Sequence, residues 1–172
     1  NKLSSAMQET HRVADQGKYM YWEDFAPGAH FDCGSRLITR EEIIAFALTF
    51  DPQPIHLDEE FSATTIYGGV IASGGHVWAS CMGLVAASLF SRSANLGSPG
   101  LDSLQWLRPM RPGDVVTAAV TVLATTPSSR PANGKLKMRF ELRNQDRTEI
   151  MQAVANVIMG RRQPAEAPAT QA

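Results

Sequence analysis

The sequence is poor in the features that define several large classes of protein. Its 172 residues include only two cysteines, Cys33 and Cys81, which form neither a C-x-x-C pair nor a zinc-type spacing. We therefore expect both to be reduced and buried, as in a reducing compartment. No apolar run approaches the roughly 20 residues of a membrane span, and "NKLSSAMQET" lacks the apolar core of a secretory signal. These absences predict a cytoplasmic protein with no membrane association.

The sequence also lacks an excess of positive or negative charge. Sixteen Lys and Arg residues face 17 Asp and Glu residues, which gives a formal net charge of −1. This balance offers no general attraction for nucleic acid or anionic lipid, so neither is expected as a partner. Histidines at a metal-ligand spacing are also lacking, so no metal is expected. His11, His30 and His76 are predicted to be structural or exposed.

The composition nevertheless supports a folded core. The length suits one domain, and 44% of the residues are hydrophobic, close to the globular average. Residues 1–20 are polar without a sustained period, and residues 163–172 are rich in Pro and Ala. Such segments bury too little apolar surface to order themselves. We therefore predict a polar arm over 1–20, one domain over 21–162 and a disordered tail over 163–172.

A first helix is marked at both of its ends. Thr39 and Glu42 form a T-x-x-E capping box, and Pro52 disfavours helical geometry at Asp51. The helix is therefore predicted to end where "DPQPIH" begins. Its expected apolar face, at i, i+3, i+4 and i+7, consists of Ile43, Phe46, Ala47 and Phe50.

A second, longer helix follows a glycine-rich lead-in. Ser73 is a plausible N-cap, and the helix is predicted to run to about Ser91. It has almost no polar face, which is typical of a buried helix. Several small residues would let a sheet approach it closely: Ala79, Ser80, Gly83, Ala86 and Ala87.

Strand-like patterns occupy most of the remaining chain. "FDCGSRLIT" precedes the helices, and "LDSLQWL", "DVVTAAVTVLAT", "KLKMRFELRNQ" and "EIMQAVANVIMG" follow them with partial alternation. Strands and helices do not alternate as in a β-α-β chain. The order therefore predicts an α+β fold in which an antiparallel sheet wraps around one long buried helix.

The segment "DPQPIH" places a carboxylate and an imidazole at the ends of a proline-stiffened hexapeptide. Spacing alone leaves two interpretations open. Asp51 and His56 could be a turn residue and a satisfied surface histidine, or they could hold one water as an acid–base pair. In the second case, the two prolines would lower the cost of ordering the two groups.

The longer pattern resembles a known family. "FALTFDPQPIHLDEEFSATT", then "YGGVIASGGHVWAS" and "WLRPMRPGDVV", are similar to the MaoC-like dehydratases, or R-specific enoyl-CoA hydratases, of the hot-dog fold. The likeness covers roughly residues 20–160. The family hallmark is Asp, then x-Asn-Pro-x-His, and this chain keeps Asp51, Pro54 and His56 with Gln53 in place of Asn. It also has Ser73-Gly74-Gly75 where His-Gly-Met is common, and Met82 where some members have a serine.

The resemblance implies a reaction and a role for each residue of the site. Asp51 and His56 would share the water that adds to a double bond conjugated to a thioester, giving an (R)-3-hydroxyacyl product. The backbone amide of Gly74 would stabilise the negative thioester oxygen. Gln53, Ser73 and Gly75 are the candidate substrate-binding residues, although Gln53 could be a turn residue and Ser73 only a helix cap.

The resemblance also implies partners. The substrate would be an acyl thioester of CoA or acyl carrier protein, no cofactor would be needed, and the chain would form a homodimer or a higher homo-oligomer. Two other functions stay open: a hot-dog thioesterase acting on similar substrates, and a non-catalytic hot-dog subunit that binds acyl thioesters.

Overall fold

The computed structural model describes residues 18–162 of the chain. The predicted tail, most of the predicted arm and His11 lie outside these residues. Five antiparallel strands form one sheet in the order β1-β3-β4-β5-β2. The strands are β1 (His30–Leu37), β2 (Gly100–Trp106), β3 (Val115–Pro127), β4 (Asn133–Arg143) and β5 (Glu149–Gly160).

Four α-helices lie between β1 and β2 in the chain. Their position agrees with the sequence pattern, which places every helix before the last four strands, but the two helices predicted above are only the first and the last of the four. A 3₁₀ turn precedes β1 and another follows the last helix. The helices are α1 (Arg40–Phe50), α2 (Pro54–Leu57), α3 (Glu59–Ala63) and α4 (Gly74–Ser88).

Helix α4 is the helix around which the sheet curves. Val77, Cys81 and Val85, at i, i+4 and i+8, are at most 3% exposed and belong to the main core with residues of β1, β3 and β4. Burying a side chain the size of Val85 contributes roughly 1.5–3 kcal/mol. The sheet, its order and the central helix confirm the predicted α+β hot-dog fold.

The prediction that α4 is buried all round is wrong in one respect. One side of the helix remains open, and most of its small residues lie there, whereas Ser80 is buried. This side consists of Gly75, Ala79, Gly83 and Ala86. The buried apolar residues Val77, Cys81 and Val85 face the sheet and leave this side of the helix outside the core.

Helix α1 differs from its prediction in two details. Thr39 caps it as expected, accepting from the Glu42 amide at 3.1 Å, but the Glu42 carboxylate accepts from Arg36 at 2.7 Å and does not close the capping box. Phe50, predicted to lie on the apolar face of α1, is 71% exposed. Only Ile43 and Ala47 of this helix are fully buried. No helix between residues 18 and 162 is both long and apolar enough to cross a membrane.

Candidate active site

The "DPQPIH" segment turns sharply between α1 and α2. Asp51 leaves helical geometry at φ −156°, while its amide still donates to Ala47 O at 2.9 Å. Pro52 enforces this end, and the Gln53 amide donates to Asp51 O at 2.7 Å. Pro54 then occupies the first position of α2, where a missing amide proton costs nothing. The turn thereby brings the helix that carries His56 back over Asp51.

His56 is buried, and its ring is held by a hydrogen bond at Nδ1. Its Nδ1 lies 2.8 Å from the carbonyl oxygen of Ile71, which can only accept, so Nδ1 carries a proton. In the neutral ring Nε2 is then an acceptor, and it lies 3.3 Å from Asp51 Oδ2. Two acceptors at this distance cannot bond each other directly. They can each accept one proton of the same water.

The Asp51 carboxylate is held by two further side chains. Gln53 Nε2 donates to Oδ1 at 2.6 Å, and Ser73 Oγ donates to Oδ2 at 2.7 Å. The hydrogen bond from Gln53, followed by that from Ser73, holds the Asp51 pKa below its ordinary value. Asp51 is therefore ionised at neutral pH and fixed in orientation.

Ser73 also begins α4, as predicted. Its hydroxyl oxygen accepts from the Gly75 amide at 3.2 Å. The Gly74 amide donates to no acceptor within residues 18–162. A free amide at the positive end of a helix dipole suits a developing negative oxygen.

One cleft, with a volume of about 470 Å³, collects these groups. All six residues singled out in the sequence line it: Asp51, Gln53, His56, Ser73, Gly74 and Gly75. Sequence patterns gave no reason to add Tyr67, Trp106 or Arg108, which line it as well. Within residues 18–162 no three His, Cys, Asp or Glu side chains are grouped so as to hold a metal ion.

The other histidines of the described chain lie elsewhere. His76 is buried and stacks on Phe46 with ring centroids 4.9 Å apart, and its Nε2 lies 3.3 Å from Glu42 Oε1. Burial lowers its pKa, more than Glu42 raises it. His30 is largely exposed and pairs with Thr121 Oγ1 at 2.9 Å.

Two residues of α4 line a separate cavity. Trp78 and Met82 border an apolar space of about 290 Å³ beside Phe140, away from the Asp51 cleft. Met82, the residue that the resemblance aligns with a serine of some family members, lines this cavity and not the Asp51 cleft.

Comparison with known proteins adds sequence likeness to this geometry. The family model described as "MaoC like domain" matches residues 24–141. The uncharacterised protein YdeM of Bacillus subtilis is 27% identical over 83% of this chain and all of its own length. The (R)-specific enoyl-CoA hydratase of Rhodospirillum rubrum is 32% identical over 64% of this chain and 74% of its own.

A solved structure agrees with the fold. The MaoC-like dehydratase from Rhodospirillum rubrum superposes with a TM-score of 0.76 and 36% identity. The match covers 84% of this chain and 99% of the other. The likeness therefore spans nearly the whole of the described chain.

Proposed function

The chain belongs to the MaoC-like domain family, and we propose that it adds or removes water at the 2,3 position of an acyl thioester. The proposal rests on one observation: His56 Nε2 and Asp51 Oδ2 lie 3.3 Å apart in the cleft that Gly74 also lines. Two relatives point the same way: one is named as an enoyl-CoA hydratase and one as a dehydratase.

In the proposed reaction a single water donates one hydrogen bond to each acceptor. As its oxygen attacks C3 of the 2-enoyl thioester, one O–H bond breaks and the proton passes to His56 Nε2 or Asp51. The electron pair of the double bond moves onto C2 and the thioester oxygen. A proton returned from the same pair to C2 completes the (R)-3-hydroxyacyl product, and dehydration follows these steps in reverse.

The negative charge that develops on the thioester oxygen needs a hydrogen-bond donor within the cleft. We assign this role to the Gly74 amide, because it is free within the described residues and begins the long helix α4. Loss of one such donor typically lowers the rate on the order of 100- to 1000-fold. The wall residues Gln53, Ser73 and Gly75 would then shape the cleft around the substrate.

The test is hydration of crotonyl-CoA, followed by loss of the enone absorbance. Asp51→Asn and His56→Gln are each expected to lower kcat by at least about 100-fold, in line with the loss of a general base. Asp32→Asn and His30→Gln change the same residue types on β1, outside the cleft, and serve as matched controls. Equal rates for wild type and both site variants would overturn the proposal.

The same assay separates the two other functions that the sequence leaves open. A thioesterase would release free CoA thiol, which a thiol reagent detects, without forming a 3-hydroxyacyl product. A non-catalytic subunit would bind acyl-CoA and give neither signal. The water-sharing geometry of His56 and Asp51 favours hydration over both.

We further propose that the protein works as a homodimer joined through β2. Only β5 pairs with β2 within residues 18–162, so the outer backbone edge of β2 is open. Leu101 and Trp106 are exposed along it, and open edges are normally covered. Sedimentation velocity is expected to show a dimer; an active monomer would contradict this.

A further inference from the structure

Trp106 joins the edge strand β2 to the start of α4. It is the last residue of β2, is 53% exposed, and lines the Asp51 cleft. Its indole Nε1–H donates to the carbonyl oxygen of Gly74 at 3.0 Å. Because the side chain is only half-buried, this hydrogen bond helps to fix the orientation of the indole.

The ring also fills the side of Gly74 where a side chain would project. A Cβ at this position would lie 2.7 Å from Trp106 Cε2 and 2.8 Å from Cζ2, closer than real Cβ contacts. Residue 74 must therefore be glycine while the indole stands there. This requirement is separate from any need of a substrate to approach the Gly74 amide.

The peptide between Gly74 and Gly75 is held at both of its polar atoms. Its carbonyl accepts from Trp106, and its N–H donates to Ser73 Oγ at 3.2 Å. Ser73 Oγ donates in turn to Asp51 Oδ2 at 2.7 Å. A continuous chain of hydrogen bonds thus leads from β2 to the carboxylate, and bonds in such chains strengthen one another.

We propose that Trp106 is a positioning residue for the Asp51–His56 site: it fixes the Gly74–Gly75 peptide, and through it the direction of the Gly74 amide and the Ser73–Asp51 contact. Trp106 touches none of the reacting atoms in this role. The kinetic consequence rests on the function proposed above. The consequence for Asp51 can be measured in the resting protein.

The first experiment compares Trp106→Phe with Trp22→Phe. Both replacements remove an indole donor from a backbone carbonyl, since Trp22 Nε1 donates to Lys135 O at 3.2 Å and neither residue lines the cleft. Both rings also cover a glycine, Gly74 and Gly134 respectively. Trp22→Phe is therefore a matched control for loss of stability alone.

We expect Trp106→Phe to lower kcat for crotonyl-CoA hydration by about 3- to 10-fold, the effect of one lost hydrogen bond. KM is expected to stay within about twofold, because the substrate does not lose a contact. Trp22→Phe is expected to leave both constants unchanged. Equal kinetic effects of the two variants would overturn the inference.

The second experiment needs no catalysis. Loosening the Ser73–Asp51 contact removes one cause of the lowered Asp51 pKa, so Trp106→Phe should raise that pKa toward its ordinary value. A carboxyl ¹³C NMR titration measures it in the free protein. An unchanged Asp51 pKa would overturn the inference even if hydration is confirmed. A raised pKa would support it even if hydration fails.

A double-mutant cycle tests the steric half of the argument. Gly74→Ala keeps the amide but drives a methyl group into the Trp106 ring. The methyl group has room once Trp106→Ala is present, so Gly74→Ala should reduce kcat by a smaller factor in that background than in wild type. Equal factors would show that the ring is not what requires glycine at position 74.

Discussion

Ser73 Oγ donates to Asp51 Oδ2 at 2.7 Å while accepting from the Gly75 amide at 3.2 Å. One hydroxyl therefore caps the central helix and orients the carboxylate of the proposed catalytic pair. The hydroxyl of Ser73 thus links the start of α4 directly to Asp51.

Ser73→Ala is expected to lower kcat on the order of 10-fold, the effect of losing a hydrogen bond to a charged group. The Asp51 pKa should rise, so the acid limb of the pH–rate profile should move to higher pH. Ser80→Ala is the control, because Ser80 is a buried serine of the same helix whose hydroxyl has no partner within residues 18–162. A profile identical to wild type would contradict the prediction.

Gln53→Ala should raise the Asp51 pKa further than Ser73→Ala does, because the Gln53 hydrogen bond is the larger cause of the lowering. A lowered carboxyl pKa stabilises the folded state above the pKa of the unfolded chain, and this stability is lost as pH falls through the folded-state pKa. The variant should therefore lose thermal stability at neutral pH but not in strong acid. Carboxyl ¹³C NMR titrations of Gln53→Ala and Ser73→Ala measure the two Asp51 pKa values. A larger rise in Ser73→Ala would contradict the prediction.

Neutral His56 should carry its proton on Nδ1, because the Ile71 carbonyl can only accept. Two-bond ¹⁵N–¹H NMR spectra of ¹⁵N-histidine-labelled protein distinguish the two tautomers. His30→Gln simplifies the assignment without touching the cleft. A proton found on Nε2 would remove the water-sharing arrangement.

Arg108 should recognise an anionic part of the substrate. It lines the cleft, its Nη1 donates only to the adjacent Leu107 carbonyl at 2.7 Å, and it forms no ion pair within residues 18–162. Arg108→Ala should raise KM for crotonyl-CoA roughly 2- to 5-fold, as expected for an exposed ion pair. Crotonyl-pantetheine, which lacks the phosphates, should show no change.

The control for this prediction is Arg130→Ala, in the β3–β4 connection. A KM change of equal size in that variant would show that the loss of one positive charge anywhere on the protein, and not the position of Arg108, weakens substrate binding. An equal change with crotonyl-pantetheine would exclude the phosphates as the group recognised.

His76 should make the fold sensitive to acid. Its pKa is lowered mainly by burial, partly opposed by Glu42 and assisted by Arg36. Below about pH 6.5 the unfolded chain therefore binds a proton that the folded chain resists, and stability falls. Between about pH 8 and about pH 5, wild type should lose more thermal stability than His76→Gln, with His30→Gln behaving as wild type.

Local signals in the sequence predicted much of the fold. The Thr39 cap, the Pro52 stop and the glycine-rich entry to α4 act within a few residues, so their effects can be read from the chain. The Phe50 prediction failed because periodicity describes a face without saying how far the partner surface extends. Phe50 projects beyond that surface and is exposed.

The candidate site also contains some residues that local sequence signals predict and others that they do not. The spacing of Asp51 and His56 and the Ser73 cap were predictable, because prolines and helix ends are local. The Ile71 carbonyl that sets the His56 tautomer lies 15 residues away, and Trp106 lies 32 residues from Gly74. No periodicity connects residues at such separations.

The sequence by itself determined the elements, their order and the stiff segment that carries the two proposed catalytic groups. Helix caps, prolines and alternation are short-range physics, and they act before the chain has folded. The tertiary structure alone decided which backbone carbonyl fixes His56, which side chains hold Asp51, and that the indole of Trp106 stands over Gly74. These contacts arise only when the sheet curves around α4 and brings its edge strand to the start of that helix.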